Sequence, residues 1–270
     1  MSYACKTLIN TSNRLASREK RISICLGANG FSFAEVATGG QLLTFGEAVG
    51  THSLTMTGVM ADVKAFFASV GIRPLGYASM ELVVLSNEST WVPDELYSSL
   101  SNRKYLQLVG SNPGGIMTCH SRALASTAVF ATDEQIVTAF KVAMPGIVVM
   151  HQHAKMASLA PAFAGRPTLM VHWRRGRVDV AAFRGGRYVY GNTLNFNNDS
   201  EAIYHIVEVM KSYDLEGQDT ELLVCGDVDR ERYALLRPYF PKTTLYNGTC
   251  RIEAPELRSL HTYRHALILS

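Results

Sequence analysis

Two stretches decide how this chain folds. The first is Arg21-Ile-Ser-Ile-Cys-Leu-Gly-Ala-Asn-Gly-Phe-Ser-Phe-Ala-Glu-Val-Ala-Thr-Gly-Gly-Gln-Leu-Leu-Thr-Phe45. The second, about 145 residues downstream, is Thr168-Leu-Met-Val-His-Trp-Arg-Arg-Gly-Arg-Val-Asp-Val-Ala-Ala-Phe-Arg-Gly-Gly-Arg-Tyr-Val-Tyr190. Each reads as strand, tight turn, strand, Gly-Gly turn, strand. Two such meanders, each opening one half of the chain, imply a duplicated, two-domain architecture.

The remainder of each half extends this pattern. After the first meander, Met56, Val59, Met60, Val63, Phe66, Phe67 and Val70 recur at helical spacing, which predicts a helix over His52 to Val70 stopped by Gly71. Glu81 to Leu85 reads as a buried strand, and Trp91 to Tyr97 as a helix start with Pro93 in its first turn. Strands are expected at Tyr105–Val109, Ile116–His120 and Ser126–Ala131, with a turn at Ser111 to Gly115. Asp133 to Met144 is an amphipathic helix with an acidic first turn, and Pro145-Gly146 ends it. Ile147–Met150 reads as a strand and Ala154–Phe163 as a helix.

In the second half, Asn198 or Asp199 caps a helix whose apolar face is Ile203, Ile206, Val207, Met210 and Tyr213. Glu221–Gly226 is a buried strand, and Asp227 or Asp229 caps the helix after it. Thr243–Leu245 and Ala266–Leu269 are the last expected strands. The alternation argues for layered α/β domains. The expected organisation is an N-terminal extension over 1–20, a first domain over 21–146 and a second over 147–270.

Composition narrows the function classes. The chain has 270 residues, 47% hydrophobic and 18% charged, enough apolar content for two packed cores. A net charge of +3 without a Lys/Arg run argues against nucleic acid as a partner. No apolar run is long enough to span a membrane, and residues 1–20 lack the apolar core of a secretion signal. Five scattered cysteines, without metal or redox spacing, suit a reducing cytoplasm, with Cys25 and Cys225 as small core residues. The sequons at Asn87, Asn198 and Asn247 then carry no glycan.

The order of three antiparallel strands, helix, strand, helix and strand resembles the actin-like ATPase domain. Actin, sugar kinases and heat-shock chaperones hold it in two ribonuclease H-like copies around a nucleotide cleft. The Glu134–Phe163 stretch is similar to the inter-domain segment of pilus-assembly and cell-division actin relatives. The whole chain resembles domain-of-unknown-function family 3822, a Bacteroidetes family with an actin-like fold. The carrying stretches are Arg21-Ile-Ser-Ile to Phe31-Ser-Phe, Val84 to Pro93, His151-Gln-His153, Leu169 to Asn195 and Leu222 to Gly226. That resemblance implies a fold and no reaction.

In working relatives the first turn of each meander cradles phosphate through small residues, and an Asp ending each first strand lies near Mg²⁺ and the attacking water. Here Leu26 or Gly27 stands in the first Asp position, and Asn29-Gly30 suits a type I′ hairpin turn. His172 stands in the second, followed by Trp173, Arg174 and Arg175 where small residues are expected. The arginines, with Arg177, either form a solvated hairpin tip or hold an anion through their side chains. Of the adenosine-packing Gly-rich turn only Gly226 remains, with Asp227 in a glycine's place. The residues left to a degenerate nucleotide site are Asn29, Arg174, Arg175 and Gly226; none is catalytic, and no role falls to Asp179.

His151-Gln-His153 puts two imidazoles on one face if extended, but it has no third metal ligand nearby, so packing or capping is the simpler reading. His261 and His265 suit a metal only on a helix, and that run reads as a strand. Tyr188, Tyr190, Tyr204 and Phe196 offer at most an aromatic partner surface. No metal and no firm cofactor follow, ATP with Mg²⁺ being the one to test. The expectation is a non-catalytic protein acting through contacts with an unspecified protein partner. The alternative is an ATPase or small-molecule kinase with altered active-site residues.

Overall fold

The structure is a computed structural model describing residues 3–9, 19–28, 30–50, 67–68, 76–216 and 219–270. It divides into two compact units. The first comprises residues 1–152, 249–260 and 267–269; the second comprises 153–248, 261–266 and 270.

The first unit is built on strands β1 (Tyr3–Ile9), β2 (Lys20–Gly27), β3 (Gly30–Ala37), β4 (Leu42–Gly50) and β5 (Ser79–Val84). A second, smaller sheet follows in the chain: β6 (Ser89–Pro93), β7 (Ile116–Ser121) and β8 (Ser126–Ala131), with helix α1 (Asn102–Leu108) between β6 and β7. Helix α2 (Glu134–Ala143) and β9 (Val148–His151) complete the unit. The main sheet runs β1-β4-β3-β2-β5-β9. Its meander is antiparallel, whereas β5 pairs in parallel with β2 and β9 with β5.

The second unit contains helix α3 (Gln152–Ser158, all but its first residue), β10 (Thr168–Arg174), β11 (Arg177–Arg184) and β12 (Arg187–Asn195). Helix α4 (Asp199–Ser212), β13 (Glu221–Gly226), helix α5 (Arg230–Leu236) and β14 (Thr243–Leu245) follow. The sheet order is β12-β11-β10-β13-β14, with β13 parallel to β10 and β14 parallel to β13. Strand for strand this repeats β4-β3-β2-β5-β9, so the duplication read from the two meanders extends to the whole sheet.

Local chemistry explains the helix boundaries. The Asp133 carboxylate accepts from the backbone N–H groups of Gln135 and Ile136 at 2.9 and 3.3 Å, capping α2. Asn198 caps α4 through Glu201 N–H at 3.0 Å, and Asp229 caps α5 through Arg232 N–H at 2.8 Å. These caps occupy orphan donors of each first turn. Ile136, Val137 and Phe140 turn inward from α2, and the Phe140 ring meets Phe31 edge-on at 5.3 Å. In the second unit Leu169, Val171, Trp173, Val178 and Val180 point to one face of the sheet and pack against Ile203, Ile206 and Val209 of α4.

Several expectations are corrected. Tyr105–Val109 is not a strand: Asn102–Leu108 is helical, its Arg, Lys, Leu and Gln being good helix formers, and of that helix only Leu106 is buried. Tyr3–Ile9, expected within an extension, is an edge strand antiparallel to β4. The first unit runs through Gln152, and β9 hydrogen-bonds to β5 within it. Ala266–Leu269 is buried but forms no strand. Ile268 and Leu269 pack with Ala254, Leu257 and Leu260 against Ala34, Val36, Leu42 and Phe45 of the first meander. An apolar run of this length does not distinguish a strand from a buried turn. The helix expected over His52–Val70, with Gly71 as its stop, lies outside the described residues except for Phe67 and Ala68, which are helical.

Candidate functional site

Parallel strands ending side by side make the natural ligand edge of an α/β sheet. In the first unit that edge holds a pocket of about 480 Å³. Gly27 and Ala28 from the first turn, Leu85 to Glu88 after β5, the Pro113–Gly115 turn and Asp133 at the start of α2 line it. Gln152 braces the edge from below: Ser86 N–H donates to its Oε1 at 2.9 Å and its Nε2 donates to Ser86 C=O at 2.6 Å. Among the described residues the pocket's charged lining is Glu88 and Asp133, and no lysine or arginine lines it. Ser111 donates a short hydrogen bond to Glu88, and the Asp133 carboxylate is engaged with the α2 amides. Gly30 pairs with Gly27 across the hairpin, so Gly30 belongs to strand β3. Asn29 itself lies outside the described residues.

The corresponding edge of the second unit is filled by its own side chains. A two-residue turn, Arg175-Gly176, pairs Arg174 with Arg177, and the register then sets His172 opposite Asp179. Asp179 in turn stands opposite Thr193 on β12, and His172 opposite Cys225 on β13. These four residues form one row across the sheet, on the face away from α4.

Asp179 is fully buried and accepts three hydrogen bonds. His172 Nδ1 donates to one carboxylate oxygen at 2.9 Å; Arg174 and the Thr193 hydroxyl donate to the other at 2.8 and 2.7 Å. Behind Thr193 lies buried His153 of α3, its Nε2 at 3.2 Å from the Thr193 hydroxyl oxygen and its Nδ1 at 3.1 Å from the Tyr188 hydroxyl. Because the Thr193 proton is given to Asp179, its oxygen accepts from His153 Nε2–H, and His153 Nδ1 accepts from Tyr188. His153 also hydrogen-bonds the Asn192 backbone.

The electrostatics follow from this arrangement. Burial pushes the Asp179 pKa up, but the Arg174 guanidinium, together with the hydrogen bond and charge of His172, outweighs it and holds the carboxyl well below the usual range. Burial lowers the His153 pKa to about 4, against the pull of Asp179, so the imidazole is neutral at neutral pH. Burial and then the Asp179 charge push the Tyr188 phenol and the Cys225 thiol up, keeping both protonated.

Each residue assigned to a degenerate nucleotide site has a local position. Arg174 is largely buried on Asp179, while Arg175 is exposed at the hairpin tip. Gly226 has φ +86°, and a Cβ there would lie 2.2 Å from the Trp173 carbonyl oxygen and 2.8 Å from the His172 ring. The glycine is therefore required by strand packing. Gly226→Ala is expected to cost about 2 kcal/mol and to lower the melting temperature by about 4–8 °C, checked by calorimetry. Gly191 plays the same part near His153, where a Cβ would overlap the Tyr188 hydroxyl.

The His151-Gln-His153 motif is split by the strand-to-helix junction. His151 is buried with its ring 5.1 Å from that of Phe130 in the first unit, Gln152 holds Ser86, and His153 joins the Asp179 row. His261 and His265 flank and end a 3₁₀ turn, Thr262–His265, instead of lying on a strand. Among the described residues no group of three or more His, Cys, Asp and Glu is placed to hold a metal. Sequence reasoning assigns no role to Asp179 or Thr193 and places Tyr188 only in an aromatic partner surface, whereas its hydroxyl lies on His153. The signal was present in Val178-Asp-Val180, a lone acid inside an apolar strand, once the two-residue turn is counted back to His172.

Comparisons with known proteins agree with this architecture. A Bacteroides thetaiotaomicron protein with an actin-like ATPase fold and unknown function is similar at TM-score 0.70 and 16% identity, over 87% of this chain and 93% of that one. A chain of the PilM-PilN type IV pilus biogenesis complex matches at TM-score 0.59 and 10% identity, over 93% and 97%. The ethanolamine utilization protein EutJ from Carboxydothermus hydrogenoformans matches at 0.51 and 11%, over 97% and 93%. The comparison with curated proteins gives no match. Two repeated sheets, similar solved structures and a family model covering residues 10–243 lead to one assignment: the chain belongs to the family described as protein of unknown function (DUF3822) and has the actin-like ATPase fold.

Proposed function

We propose that this protein is an actin-like chain that does not hydrolyse ATP and works through contacts with other proteins. The observation that carries the reading is His172. It stands at the end of β10, where the resemblance places a catalytic Asp, and its imidazole turns inward to Asp179. The matching end of β2 is Leu26-Gly27, with no acid. Phosphoryl transfer depends on metal-assisted neutralisation of the phosphates and a positioned water. Neither strand end supplies the acid for this, which supports the non-catalytic reading.

Contact with a protein partner gains support from the solved neighbour that belongs to the PilM-PilN complex. A cytoplasmic location is supported by the thiols of Cys119 and Cys225. No helix among the described residues is long and apolar enough to cross a membrane.

The test is a melting experiment with nucleotide, with and without Mg²⁺, beside a phosphate-release assay. A ligand at 100 times its Kd stabilises the native state by about 2.7 kcal/mol, which would be seen as a shift of several degrees. The expected result is no shift with about 1 mM ATP or ADP and no release above background. Mg²⁺-dependent hydrolysis that is lost in Glu88→Ala or Asp133→Ala would instead establish the ATPase or kinase alternative.

A further inference from the structure

We propose that the Arg177 guanidinium is a carboxylate-binding site whose ligand is an acidic side chain of a protein partner; the choice of a partner rests on the contact-based function proposed above. The site lies wholly within the second unit, at the tip of the β10–β11 hairpin.

Arg177 stands out by its lack of a counter-charge. Arg174 and Arg177 face each other across the two-residue turn, and Arg175 lies in the turn itself. The Arg174 and Arg177 side chains leave the same side of the sheet as Asp179. Like charges directly opposite repel, so each guanidinium gains from an acid nearby. Asp179 is already engaged. It accepts from His172 on one oxygen and from Arg174 and Thr193 on the other. Among the described residues no side chain hydrogen-bonds or ion-pairs with Arg177.

The side chain is placed to receive a ligand. Its Nε–H is shielded from water without a hydrogen-bond partner, while the residue as a whole is half-buried, so the stem is packed and the two Nη groups are the open end. A planar fork on a packed stem loses little freedom on binding. A partly desolvated cation without a counter-ion costs free energy, which an anion on the Nη groups offsets. Asn195, opposite Arg177 on β12, sets an exposed amide beside it.

Charge selects a carboxylate. One guanidinium matches one negative charge, and a carboxylate accepts two parallel N–H bonds from the fork. Asp179 sits two residues away on the same side of the sheet and is ionised. It opposes a dianionic phosphate more strongly than a singly charged carboxylate. Exposed Arg175 adds attraction at longer range.

The test uses the full chain at fixed ionic strength with two probes, acetate and a capped tetraglutamate peptide. The Arg177 Nε–Hε magnetic resonance signal, identified by its loss in Arg177→Lys, is expected to shift saturably with either probe. A labelled form of the peptide, followed by fluorescence anisotropy, is expected to bind about tenfold more tightly than acetate, because Arg175 attracts its further charges. Arg177→Gln is expected to weaken peptide binding about tenfold, and Arg177→Lys, which keeps the charge and loses the fork, about threefold. Melting curves identify the variants that are folded. An Arg177 signal unmoved by both probes overturns the proposal, as does a peptide affinity unchanged in the folded variants. A signal that moves with inorganic phosphate and not with acetate overturns the carboxylate assignment. Acetate binding as tightly as the peptide overturns the assignment to a partner. Phosphate release is read separately: Mg²⁺-dependent hydrolysis removes the contact-based reading and leaves the acetate response, whereas an unmoved signal removes this inference and leaves that reading standing.

Discussion

Asp179→Ala is expected to destabilise the second unit by about 3–5 kcal/mol, the cost of leaving a buried charge without its partner. Three donors converge on this carboxylate at 2.7–2.9 Å from His172, Arg174 and Thr193, and the carboxylate itself is wholly shielded from water. Removing it strands the Arg174 guanidinium, mostly buried, against an apolar sheet face. The two tryptophans give a clean readout: Trp91 lies in the first unit and Trp173, buried on the opposite face of the same strand as His172, in the second. In a Trp91→Phe background, guanidinium titration followed by fluorescence reports the second unit alone. Asp179→Leu combined with Arg174→Met is expected to recover much of the loss, since replacing a whole buried pair costs far less than breaking it. A single Asp179→Ala variant as stable as the parent would mean that the row does not hold the sheet together.

The second large effect is on pH. His153 has its pKa lowered by burial to about 4, whereas an unfolded histidine titrates near 6.5. Between these values the unfolded chain binds a proton that the native chain does not, so stability rises with pH. The contribution is fully present above about pH 6.5, is lost progressively as pH falls, and totals about 3 kcal/mol by about pH 4. Asp179 acts lower. Its depressed pKa gives stability that is present above the unfolded value near 3.9 and is lost as pH falls below it. His153→Gln keeps a donor toward Thr193 and removes the titration, so it should flatten the stability profile between about pH 6.5 and pH 4. Denaturation midpoints across that interval measure the slope, and a slope unchanged by the substitution would remove His153 as its source.

Much of the fold was legible because period and punctuation are local. The two meanders, the α2 and α4 faces and the caps at Asp133 and Asn198 each depend on residues a few positions apart. The misreadings share one cause. Tyr105–Val109 and Ala266–Leu269 are short apolar runs, and for such runs burial is decided by what packs against them: the β6–β8 sheet in one case, the first meander in the other. The extent of the first unit was also hidden, since residues 249–260 and 267–269 return to it from the far end of the chain.

The candidate site divides in the same way. That Leu26-Gly27 and His172 are not acids is a property of the sequence. The replacement was not visible. His153, His172, Asp179 and Thr193 are spread over forty positions, and only pairing register and the placement of α3 bring them within hydrogen-bond range. Sequence alone therefore determined the duplicated strand order, because it follows from spacing along the chain. Tertiary structure alone decided that Arg174 pairs with buried Asp179 and that Gly226 lies against the Trp173 backbone. A side chain's partner depends on which strands lie beside it, and that is settled only when the sheet has formed.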